Sequence, residues 1–69
     1  MALNYKSNGT ALKMTMLAQE IGLVELEKRA NISRQTATNA VNGKNISSKT
    51  CNKIAKALGV PVTDLFTCD

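Results

Sequence analysis

The chain has 69 residues, with no histidine, no tryptophan and only one tyrosine, one phenylalanine and one proline. Without histidine the usual general base is missing. No paired carboxylates, Gly-rich phosphate loop or metal-ligand cluster takes its place. The chain therefore does not read as an enzyme, and no cofactor, metal or small-molecule substrate is expected. The scarcity of aromatics leaves Leu, Ile, Val, Ala and Met to build the core. No apolar run is long enough for a signal peptide or a membrane span. A cytoplasmic protein without a membrane partner is the expectation. Cys51 and Cys68 lack a metal-ligand spacing and read as reduced thiols, with one disulfide between them as the alternative.

Acidic residues are missing from one long stretch. Between Lys28 and Val60 lie Lys28, Arg29, Arg34, Lys44, Lys49, Lys53 and Lys56 with no Asp or Glu, within a net charge of +4. The acids sit outside it: Glu20, Glu25 and Glu27 before, Asp64 and Asp69 after. A block of one sign suits a polyanion or an acidic protein surface; a solvated basic face is the plain alternative. The length allows one small domain whose core is marginal, so tight helix packing or a partner is expected.

The most informative stretch is Ile32–Gly43. Ser33 is a good N-cap, and Asn42-Gly43 is a good stop because glycine takes the left-handed conformation that closes a helix. Ala37, Ala40 and Val41 form a narrow apolar stripe. Arg34, Gln35, Thr38 and Asn39 point elsewhere. A short helix with a thin, small-residue inner side and a hydrogen-bonding outer side is shaped to enter a groove.

Around it, residues 1–9 read as a flexible N-terminal tail, and residues 10–69 as the domain. Thr10 caps a first helix to about Ile21, with Leu12, Met16 and Leu17 inward, and Gly22 breaks it. A second helix covers about Leu23–Ala30, with Leu26 and Ala30 inward, and Asn31 takes the turn. Lys44–Ser48 reads as a loop with Ile46 tucked onto the core. Ser48 caps a fourth helix, about Lys49–Leu58, burying Cys51, Ile54, Ala55 and Leu58 and exposing Lys49, Lys53 and Lys56. Gly59 ends it, and Pro61 opens a last short segment with Val62, Leu65 and Phe66 as its apolar members. No strand-like alternation is present.

Two short helices joined by a tight turn have the form of a helix-turn-helix. Ile32-Ser33-Arg34-Gln35-Thr36, then Asn42-Gly43-Lys44, then Lys53-Ile54-Ala55-Lys56-Ala57-Leu58-Gly59-Val60, closing on Asp64-Leu65-Phe66, resembles the phage Cro/repressor family of helix-turn-helix domains. The likeness runs without a gap from about Leu12 to Phe66. It implies an all-α fold, a compact bundle of about five short helices of the lambda-repressor-like type. It also implies a recognition helix carrying Ser33, Arg34, Gln35, Thr38 and Asn39, with Arg34, Gln35 and Asn39 at base-reading positions. The chemistry suits that role, because Arg can grip a guanine edge by two hydrogen bonds and Gln or Asn an adenine edge. Asn42, Lys44 and Lys49 match phosphate-contacting positions.

Four departures from the family pattern stand out. Leu23 replaces a phosphate-contacting Gln, Glu27 replaces a small Ala, and Asn31 replaces the turn Gly. Met16 and Val41 replace an Arg–Glu pair, which need not weaken the fold. Leu23, Val24 and Glu27 therefore become candidates for protein contact, with extension of the core as the alternative for Leu23 and Val24. The chain as a whole is similar to the modulator-of-repression (antirepressor) proteins of temperate phages of lactic acid bacteria. That likeness implies binding to a cognate phage repressor in setting the lytic/lysogenic choice. The competing reading is a Cro-like operator-binding homodimer joined through Val62, Leu65 and Phe66, and an antitoxin-type regulator shares the same fold.

Overall fold

Capping residues set most of the helix boundaries. The structure, a computed structural model, describes residues 4–68. In chain order it contains β1 (Asn4–Ser7), α1 (Gly9–Ala18), α2 (Leu23–Ala30), α3 (Arg34–Val41), β2 (Asn45–Ser47), α4 (Ser48–Leu58), α5 (Val62–Leu65) and β3 (Phe66–Cys68). Ser33 caps α3 by accepting from the Thr36 amide at 3.2 Å. Asn31 closes α2 in the left-handed region, at φ 56°, where a short polar side chain is tolerated. Gly43 and Gly59 follow α3 and α4 with φ of 77° and 70°, the conformation that favours glycine.

Two caps differ from the sequence expectation. Asn8, not Thr10, caps α1, its side-chain oxygen accepting from the Ala11 amide. Ser47, not Ser48, caps α4. In both cases an earlier residue already offers the oxygen, so the helix starts sooner. α1 also stops at Ala18, before Ile21. Glu20 takes a positive φ of 57°, and the Ile21 amide donates back to the Met16 carbonyl. This turn still delivers Ile21 to the core.

The five helices enclose one apolar core. Leu12, Leu26, Ala37, Ala40, Ile54 and Cys51 are fully shielded from solvent. Leu65 and Phe66 are also buried, at 1% and 2% exposure. That corrects the expectation of a homodimer joined through Val62, Leu65 and Phe66: two of the three side chains are spent on the core, and Val62 packs against it. Leu17 is a second correction. It is 73% exposed, because at about 100° per residue it lies about 140° around the helix from Leu12.

The fold is helical with one small addition. β1 runs antiparallel between β2 and β3, with Tyr5 opposite Ile46 and Ser7 opposite Phe66. Residues 4–7, expected as tail, are thus a central strand, and most of the expected 44–48 loop is an edge strand. Residues 1–3 of that tail lie outside the described residues. Backbone pairing holds these strands, and at three or four residues each they are too short for an alternating pattern to betray them. Ser7 is buried and its hydroxyl donates to the Ala40 carbonyl in α3. The next residues draw α1 against the end of α3: a Cβ added to Gly9 would sit 2.5 Å from the Val41 carbonyl oxygen. Only glycine lets the two backbones approach so closely. The N-terminal segment therefore fixes where the C-terminal end of α3 lies.

Candidate nucleic-acid interface

α3 is held by its small residues. Ala37 and Ala40 are fully buried and let the helix sit close to the core. Its other side is open: Ser33, Arg34 and Gln35 are exposed, and Thr38 and Asn39 are partly so. The structure thus brings the expected recognition residues onto one accessible face.

Those side chains are not idle. Gln35 donates to the Asn39 side-chain oxygen at 3.4 Å, one turn on. The Ser33 and Thr36 hydroxyls are 2.9 Å apart. Arg34 donates through Nε to the Glu27 carboxylate, at 2.5 Å, across the turn between α2 and α3. Glu27 is largely shielded, with its side chain 19% exposed, whereas that of Arg34 is 64% exposed. Its carboxylate meets a cation, and that cation is the first base-reading candidate.

Asn42 closes α3 as its C-cap, and Lys44 follows on the exposed surface, its amide bonded to the Asn39 carbonyl at 3.0 Å. Lys49 stands in the first turn of α4, also exposed. All three expected phosphate-contact candidates therefore face solvent. Lys53 and Lys56 continue the exposed basic side of α4.

The expected protein-contact residues divide. Val24 is 52% exposed at the start of α2, while Leu23 is half-buried and packs against the core. Leu23 also lines a surface trough of about 320 Å3 with Lys13, Met16, Leu17, Ile21 and Val41. Met16 and Val41, the apolar pair that stands where the family often has an ion pair, thus form part of an apolar opening beside α3. Sequence reasoning did not assign Lys13 and Leu17 to any site. The signal for Leu17 was its angular distance from Leu12, and Lys13 carried none.

Cys51 of α4 lies in the core. Its thiol is buried, donates to the Ile46 carbonyl at 3.6 Å, and is pushed up from 9.0 to about 11 by burial. It is a free, packed thiol; the side chain of Cys68, the partner in the disulfide alternative, lies outside the described residues. No described helix is long and apolar enough to cross a membrane.

Comparison with known proteins agrees with this geometry. The model of the family described as Helix-turn-helix matches residues 10–65. No curated protein and no solved structure was found to match the chain.

Proposed function

The chain belongs to the helix-turn-helix family of DNA-binding transcription regulators, Cro/repressor type, and from that premise we propose that it modulates repression by binding a cognate phage repressor. The carrying observation is the Glu27–Arg34 ion pair at the head of α3. It occupies a base-reading side chain with an internal carboxylate and sets negative charge beside a surface that would meet phosphate. Leu23 and the apolar trough next to it support the same reading, because apolar surface gains from contact with protein and not from contact with phosphate.

The mechanism is mutual masking. The outer face of α3, with Ser33, Arg34, Gln35, Thr38 and Asn39, meets the repressor's DNA-binding domain together with Leu23, Val24 and Glu27. The repressor's own recognition helix is then covered, and the balance between lytic and lysogenic growth shifts in the cytoplasm of the bacterial host. Size-exclusion chromatography of this protein mixed with the repressor's DNA-binding domain tests the proposal. One co-eluting peak at micromolar concentration is expected, and two separate peaks reject it.

A second reading is a Cro-like operator-binding repressor. It is favoured by the exposed Lys44 and Lys49 together with the acid-free run from Lys28 to Val60. Phosphate contacts release counterions, so its affinity would fall steeply with salt. A gel shift with the switch-region DNA at low salt decides it: no retardation counts against this reading.

A further inference from the structure

The apolar trough continues into a second hollow. The first is walled by Met16, Leu17, Ile21, Leu23 and Val41, with Lys13 as its single charged member. The second, about 330 Å3, is lined by Gly9, Thr10, Lys13, Val41, Asn42 and Gly43. Lys13 and Val41 belong to both, so the two form one surface with an apolar end and a polar, cationic end. The polar end lies at the start of α1, whose first turn has no acidic residue. That turn carries the partial positive charge of a helix N-terminus, in addition to the Lys13 ammonium. Leu17, 73% exposed, and Met14, 62% exposed, extend apolar surface along the same helix.

We infer that this composite surface docks an acidic amphipathic helix of another protein, one apolar side chain entering between Met16, Leu17, Leu23 and Val41 and a carboxylate meeting Lys13. Charge chooses the occupant. A second copy of this chain would bring a second net charge of +4 against the first. Nucleic acid offers phosphate for the polar end but nothing to fill an apolar trough. The inference rests on the repressor-binding reading only for the identity of the partner; the surface and its chemistry stand apart from it.

The test uses the full chain labelled with 15N and two synthetic helical peptides of about four turns, alike in their leucine stripe, one flanked by Glu and the other by Lys. The Glu peptide is expected to shift the amides of Lys13, Leu17, Leu23 and Val41. Leu17→Asp, at an exposed position that leaves the fold intact, should weaken that binding about tenfold or more, from the loss of one buried leucine. Lys13→Glu should reverse the preference toward the Lys peptide. Equal binding of both peptides, shifts elsewhere, or no binding overturns the inference. So does a DNA duplex that shifts the same amides, or self-association that Leu17→Asp abolishes. A parallel titration with the repressor's DNA-binding domain separates the two claims. If that domain binds wild type and Leu17→Asp equally, the trough is not its docking site although the proposed function stands. If it binds neither, the proposed function fails and the peptide result alone decides the trough.

Discussion

Two parts of α3 serve as a comparison, because the same eight-residue helix contributes to both. From its cap to Asn39 it carries a polar face whose side chains are already engaged: Arg34 with Glu27 of α2, Gln35 with Asn39, Ser33 with Thr36. Its C-terminal residue, Val41, borders an apolar trough that is open to solvent among the described residues. A partner meeting the polar face must exchange existing hydrogen bonds for new ones. The net gain per bond is then below the about 0.5–1.5 kcal/mol typical where only water is displaced, and a wrong partner that leaves a group unpaired loses more. A partner meeting the trough exchanges nothing but water and gains roughly 25 cal/mol for each Å² of apolar surface covered. The polar half is thus arranged for discrimination and the apolar half for affinity.

Substitutions can break that contrast, beginning with its support. Leu12 and Leu17 lie on one helix, the first buried and the second exposed. Leu12→Ala should cost about 2–5 kcal/mol of folding stability through the cavity it leaves, whereas Leu17→Ala should stay within about 0.5 kcal/mol. Urea denaturation of both variants measures the difference; equal losses would mean that Leu17 is a core residue and the trough is closed.

On the polar half, Arg34→Ala should cost about 1–3 kcal/mol in operator binding and relax specificity at one base pair if α3 reads DNA. Gel shifts against the cognate site and its single-base variants provide the reading. A uniform loss over all sequences would assign Arg34 to phosphate instead.

A smaller effect sharpens the role of the ion pair. Glu27→Gln removes the negative charge and frees Arg34. It should raise DNA affinity by a few tenths to about 1 kcal/mol, most clearly at low salt, where exposed charges are least screened. Lower affinity would show instead that Glu27 holds Arg34 in its reading position.

A pH-dependent effect lies in the core behind both halves. The Cys51 thiol is pushed up from 9.0 to about 11 by burial. The unfolded chain ionises there first, so the contribution is fully present below about pH 9 and is lost as pH rises toward 11. Denaturation on either side of pH 9 should show a shallower decline for Cys51→Ala than for wild type, and parallel declines would refute the assignment.

Local signals explain which parts of this molecule were legible from its sequence. The α3 cap at Ser33, the left-handed turn at Asn31 and the buried stripe Cys51, Ile54, Ala55 and Leu58 all depend on residues within one or two turns of each other. The three-stranded sheet does not. Its central strand, Asn-Tyr-Lys-Ser, becomes a strand only because segments about 40 and about 60 residues away supply its hydrogen bonds. The same holds for Gly9, whose need for glycine comes from the Val41 carbonyl on another helix.

The sequence alone thus determined that the chain folds into short helices, the boundaries at Asn31, Ser33 and Gly59, and the polar character of the outer face of α3, because spacing and capping act over a few residues. It also placed Leu23 and Glu27 as the residues at odds with a simple DNA-binding surface. Only the tertiary structure decided what those two residues do. Packing α2 against α3 brought Glu27 to Arg34, and packing α1 and α2 together against α3 assembled Lys13, Met16, Leu17, Leu23 and Val41 into one opening. Both outcomes depend on how far apart whole helices sit, and local residue preferences do not set that distance.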